Sequence, residues 1–185
     1  MSIPSKRPTR AELDAARTGA IRDLAGRDLR AVFCGINPSL YSVAVGHHFA
    51  RPGNRFWPAL ARAGITERVL HPSEERELRA LGYGITNIAD RPTAAADELS
   101  ADELVAGAAN LARKVRRWKP RVLAILGATA YRIGFGRKQA TIGRQDDTIG
   151  GALVWVLPNP SGLNAHYQVD DLARLYRELH AFVSM

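Results

Sequence analysis

Two short stretches of this sequence place residue types that could do chemistry at the end of a strand. The first is Ala31-Val32-Phe33-Cys34-Gly35-Ile36-Asn37-Pro38-Ser39-Leu40, an apolar run that breaks at Gly-Ile-Asn-Pro. Val32, Phe33 and Ile36 favour a pleated, buried strand. Pro38 ends that strand and holds Asn37 in extended backbone. The second is Pro158-Asn159-Pro160-Ser161-Gly162-Leu163, which closes the run Ala152-Leu153-Val154-Trp155-Val156-Leu157. An Asn amide fixed just past a strand's carboxyl end lies where ligands bind in open α/β sheets. On either stretch alone, an Asn-Pro pair that merely turns the chain fits as well. Two such loops leaving parallel strands can share one rim and frame one cleft.

Other catalytic arrangements do not fit. No strand leads into a Gly-x-Ser-x-Gly elbow, a Walker loop or a Gly-x-Gly-x-x-Gly turn, and no histidines stand at metal-ligand spacing. His47 and His48 read as loop residues, and His166 as a surface histidine near the second Asn-Pro loop. The single cysteine, Cys34, excludes an internal disulfide, a four-cysteine iron–sulfur cluster and a Cys-rich zinc site. Inside an apolar strand it reads as a packed thiol. Lys and Arg outnumber Asp and Glu by 26 to 18, a net charge of +8. A balance this basic points to a polyanionic partner such as nucleic acid. The N-terminus is too polar for a signal peptide and no apolar run approaches a membrane span, so an intracellular protein is expected.

The elements that must position these residues follow from periodicity and caps. A chain of 185 residues suits one domain, which commonly runs to about 100–200 residues. Residues 1–8 are expected to be a disordered basic tail, and residues 9–185 a single α/β domain. Thr9-Arg10-Ala11-Glu12 has capping-box spacing, and Leu13, Ala16, Ile21 and Leu24 extend a helix that Gly19 weakens and Gly26 ends. Residues 39–53 lack a sustained period and read as a long loop. Asn54 can cap a helix through Phe56, Trp57, Leu60 and Ala61 that stops at Gly64. Ser73, Glu74 and Glu75 open another short helix, and residues 81–88 form the second strand, broken at Ala89-Asp90-Arg91-Pro92.

Ser100-Ala101-Asp102-Glu103 is a second capping box, followed by Leu104, Ala108, Leu111, Val115 and Trp118 on one helix face. The basic cluster Arg113, Lys114, Arg116, Arg117 and Lys119 complements the helix dipole or faces solvent, with DNA contact as the other reading. Residues 121–127 are a continuous apolar third strand, 128–133 a short helix, 134–151 a loop and 152–157 the fourth strand. Asp170 and Asp171 open a last helix with Leu172, Leu175, Tyr176, Leu179 and Phe182 on its apolar face. Four strands alternating with helices predict a three-layer α/β domain with a central, mostly parallel four-stranded sheet.

Phe33-Cys34-Gly35-Ile36-Asn37-Pro38 together with Asn159-Pro160-Ser161-Gly162-Leu163 resemble the two signature motifs of the mismatch-specific uracil-DNA glycosylases. These stand with thymine-DNA glycosylase in the uracil-DNA glycosylase superfamily. The resemblance continues through Phe49-Ala50-Arg51-Pro52-Gly53-Asn54-Arg55-Phe56-Trp57, Asp90-Arg91-Pro92-Thr93 and Ile125-Leu126-Gly127, covering roughly residues 30–182.

The resemblance implies a monofunctional glycosylase of base excision repair that needs no metal or organic cofactor and works as a monomer. Its partner would be double-stranded DNA with uracil opposite guanine or a related mismatch. The uracil must leave the stack, because its bond to the sugar is otherwise out of reach. Leu163 matches the apolar wedge that fills the gap, and Gly162 and Asn164 match positions whose backbone groups read the widowed guanine. Phe49 matches the aromatic on which the flipped base stacks. Backbone groups of Ile36 and Phe49 would bond its polar edge, and Ser42 matches a pocket-side position near the pyrimidine C5. Asn37 matches the residue that positions water against an oxocarbenium-like transition state.

Asp90, following the second strand, could bring a carboxylate to the same rim as a second catalytic group. An ion pair with Arg91 or a cap of the next turn is its other reading. Ser39 stands where the family usually has Gly, Tyr41 adds bulk, and Ala165 stands where the family often has Arg. These departures bear on substrate range more than on reaction class. A noncatalytic nucleic-acid-binding domain on the same scaffold is the alternative function.

Overall fold

A computed structural model describes residues 7–185 of the chain, so the expected tail falls almost wholly outside the described residues. In chain order, the helices are α1 Arg10–Ala15, α2 Leu40–Val45, α3 Phe56–Arg62, α4 Glu75–Ala80, α5 Ala101–Trp118, α6 Ala128–Gly134 and α7 Val169–Ser184. The strands are β1 Ala31–Gly35, β2 Tyr83–Asn87, β3 Val122–Leu126, β4 Gly143–Ile149 and β5 Ala152–Leu157. They form one sheet in the order β2-β1-β3-β5-β4. All neighbours are parallel except β4, which runs against β5.

Every residue of β1, β2 and β3 is buried, as a parallel sheet covered on both faces requires. Alternate strand residues feed two cores. Phe33, Tyr83 and Ile85 pack under α3, α4 and α7. Val32, Cys34, Leu123 and Ile125 pack under α5 and α6. Phe33 anchors the first core, 5.3 Å from the Phe56 ring and 5.6 Å from Tyr176. In the second, burial pushes the Cys34 thiol far up, which makes it an inert packing group. α5 buries Leu104, Ala108, Leu111, Val115 and Trp118 behind a Ser100–Glu103 capping box. That is the face its periodicity predicts.

Three expectations are corrected. The sheet has five strands rather than four, because residues 143–149 form an edge strand instead of a loop. Arg144, Gln145, Asp146 and Asp147 hide it from hydrophobic patterning, and such charges are how an exposed edge resists pairing with another chain. The detectable signal is Gly150-Gly151, whose φ angles of 58° and 93° turn β4 tightly into β5. The stretch read as a long loop contains α2, capped by the Ser39 hydroxyl at Ser42 N–H and ended by Gly46 in the left-handed region. The first helix stops before Gly19. Leu24 instead exchanges two backbone hydrogen bonds with Ile85, at 2.9 and 2.7 Å, covering the open edge of β2. Among the described residues, no helix is long and apolar enough to cross a membrane.

Candidate active site

Parallel pairing in the register Gly35↔Asn87 and Leu126↔Leu157 puts the carboxyl ends of four strands on one edge. Both Asn-Pro loops leave from that edge. A pocket there is lined by Ile36, Asn37, Ser42 and Phe49 from the early loops and by Asn159, Ser161 and Leu163 from the late one. The structure thus gathers five of the residues singled out in the sequence.

Asn37 is held by its amide. Its Nδ2 donates to the Arg91 carbonyl at 2.8 Å and to the Thr93 hydroxyl at 2.7 Å. A carbonyl can only accept, so the NH2 group must face Arg91 and both of its hydrogens are used. The Asn37 Oδ1 is left as the acceptor, and no described residue donates to it. The backbone repeats the arrangement: Thr93 N–H donates to the Pro38 carbonyl, and Leu40 N–H to that of Thr93. Arg91 is itself fixed by Glu103, whose carboxyl its guanidinium and the Ser100 N–H lower to about 2. The Asp90-Arg91-Pro92-Thr93 segment is therefore the brace of the Asn37 amide.

The opposite wall is Phe49. Its φ of 52° is a left-handed conformation costly for an aromatic residue. Its ring packs 4.2 Å from Phe56. The flanking residues hold the backbone in place. His48 N–H donates to Glu75, Trp57 Nε1 donates to the His48 carbonyl, and the Ala50 N–H reaches the Ser42 hydroxyl at 3.2 Å. Ser42 is buried and bridges α2 to this loop. A Cβ on Gly35 would stand 2.6 Å from the Asn87 Oδ1 and 3.3 Å from the Phe49 ring, so glycine leaves the Asn87 amide its place.

Two polar lining residues were given no role in the sequence reading. Asn87 ends β2 with its amide turned into the pocket wall; a lone Asn closing a strand looks like an ordinary breaker. His48, read as a plain loop residue, is 2% exposed and its Nε2 lies 2.9 Å from the Arg22 carbonyl. That partner accepts only, so Nε2 carries the proton, and burial lowers the ring's pKa.

The late loop is hydrogen-bonded within itself and its leucine is bare. Asn159 Oδ1 accepts from Ser161 N–H at 3.0 Å, and the Asn164 side chain donates back to the Asn159 carbonyl at 3.0 Å. Leu163 is 68% exposed, so it does not pack inward. Gly162 and Asn164 flank it on the loop outside the pocket lining.

Asp90 is placed otherwise than expected. Its carboxylate lies 3.2 Å from Lys114 Nζ, which also reaches Asp23 at 3.0 Å, and it lines a separate depression with Asp23 and Trp118. The chain turns between Ala89 and Arg91, giving the Arg91 carbonyl to Asn37 and the Asp90 side chain to α5. Lys114, from the basic cluster of α5, is thus spent inside the protein.

These features define an α/β protein with a polar crevice at the carboxyl edge of its sheet, between two Asn-Pro loops. The chain matches the uracil DNA glycosylase superfamily over residues 23–180 and belongs to it. Among solved structures it is similar to the solution NMR structure of a Methanosarcina acetivorans protein provisionally assigned as a uracil DNA glycosylase. The two share 16% identity at a TM-score of 0.59, over 88% of this chain and 98% of that one. At that identity the likeness is one of fold.

Proposed function

We propose that this protein is a monofunctional uracil-DNA glycosylase of the mismatch-specific kind. It extrudes uracil opposite guanine from duplex DNA and hydrolyses the bond to the sugar, leaving an abasic site. The observation that supports this most is the Asn37 amide. Its two hydrogens are committed to Arg91 and Thr93, which leaves its oxygen as the acceptor of a residue lining a pocket walled by Phe49, on the rim that carries the bare Leu163.

The chemistry follows from those positions. Leu163 fills the vacated stack with hydrocarbon and needs no hydrogen-bond partner there. The extruded base lies against Phe49, while the Asn87 amide and nearby backbone groups bond its polar edge. As the C1′–N1 bond breaks, its electron pair leaves on uracil N1 and the sugar becomes oxocarbenium-like. A water held by Asn37 Oδ1 adds to C1′ and passes its proton to solvent. Asp90, paired with Lys114 in a separate depression, takes no part in this step.

The test is single-turnover cleavage of a uracil-containing duplex, read by alkaline strand scission. Scission opposite guanine but not adenine is expected. Intact strands with every uracil substrate, alongside salt-sensitive DNA binding, would reduce the protein to a nucleic-acid-binding domain.

A further inference from the structure

The strongest unexplained feature is a half-buried arginine beneath the late loop. Arg55, just before α3, directs its Nη1 at three carbonyls of that loop: Asn164 at 2.7 Å, Tyr167 at 3.0 Å and Ser161 at 3.2 Å. Its own N–H donates to the Pro160 carbonyl at 2.9 Å. The contact is tightened next door. A Cβ on Gly162 would stand 2.7 Å from the Gly53 carbonyl oxygen, so the two loops touch backbone to backbone.

We propose that Arg55 is a positioning residue that presents Leu163 to DNA, a role that rests on the glycosylase reading above. Leu163 lies between two carbonyls that Arg55 holds, those of Ser161 and Asn164. It has no packing of its own to keep it in place, and such exposed side chains ordinarily move with their loop. A wedge that must enter stacked bases gains from being ordered beforehand, since less freedom is lost at insertion. Arg55 also sets the polarity of the loop. In a trans peptide the carbonyl and the following N–H point in opposite directions. Drawing the Ser161 and Asn164 carbonyls inward therefore turns the Gly162 and Ala165 N–H groups outward, towards the DNA side. An arginine can do this at a protein surface because it stays charged at every working pH and offers several donors on one rigid plane.

The test is a double-mutant cycle between Arg55→Met and Leu163→Ala, measured as single-turnover excision from the U·G duplex. Each single change is expected to slow excision by about tenfold or more, and the double variant to be no slower than the worse single, because both remove one function. A 2-aminopurine beside the uracil should lose its fluorescence rise on mixing with either single variant, whereas mere thermal softening would leave that amplitude intact below the melting range. Arg55→Lys keeps the charge and part of the donor set, so it should fall between wild type and Arg55→Met; it also serves in the cycle if the methionine variant does not fold. Multiplicative losses, or an Arg55 variant within about twofold of wild type, would overturn the proposal. A wild-type protein that cleaves no uracil duplex would instead sink the parent reading, and this one with it.

Discussion

Replacing Asn37 by alanine removes two short hydrogen bonds, at 2.8 Å to the Arg91 carbonyl and 2.7 Å to the Thr93 hydroxyl. A neutral bond of this kind contributes about 0.5–1.5 kcal/mol net. Arg91 is exposed, so water replaces the amide at its carbonyl and that loss falls at the low end. Thr93 is only 2% exposed, so its hydroxyl sits near the high end. The sum is about 2 kcal/mol, which in a chain of this size lowers the melting temperature by about 4–8 °C.

Excision should fall much further. A nucleophilic water freed from its protein acceptor no longer meets C1′ in line, and losses of this type run to about 10²–10³-fold, or about 3–4 kcal/mol in barrier. The two quantities separate cleanly. Thermal denaturation gives the first, and single-turnover cleavage with enzyme in excess, well below the variant's melting range, gives the second. Excision within about threefold of wild type, with the expected loss of melting temperature, would show that the amide only braces its turn. Asn37→Asp sharpens the result, because it puts a carboxylate oxygen against the Arg91 carbonyl oxygen. It should lose at least as much stability as the alanine variant, although its shape is unchanged.

Leu163→Ala should leave stability within about 0.5 kcal/mol, since the side chain is bare, while slowing excision from duplex DNA; unchanged duplex cleavage would remove the wedge. Stability should decline as pH falls below the ordinary histidine value of 6.5. Burial favours the neutral His48 ring in the fold, so the unfolded chain binds more protons there, and one such group contributes at most about 1.4 kcal/mol per pH unit. Urea denaturation at pH 7 and pH 5 should show this slope and find it reduced in His48→Gln. Asp90→Asn is expected to fold normally and to leave single-turnover excision unchanged, since its side chain lies with Lys114 outside the pocket; a slowed rate would give Asp90 a catalytic role.

Much of the scaffold is legible without coordinates. α5 announces itself through a capping box and an apolar residue at every third or fourth place, and β3 through an unbroken apolar run. Both signals are local, set by the 3.6-residue helical repeat and by burial on two faces. β4 is invisible for the complementary reason: an edge strand buries little, so charge can replace its apolar pattern. α2 is six residues long, too short for periodicity to register, although its Ser39 cap and Gly46 stop are both present.

By itself the sequence determined that two apolar strands end in Asn-Pro turns, because strand pattern and proline's missing N–H are properties of neighbouring residues; the parallel register that sets both turns on one rim belongs to the sheet. Only the tertiary structure decided what those turns meet. The Asn37 amide takes its orientation from a carbonyl 54 residues away, and the Leu163 loop takes its shape from an arginine 109 residues from Asn164. Asp90 goes to Lys114 rather than to the pocket. Such pairings depend on sheet register and helix placement together, and a one-residue shift in either would exchange every partner.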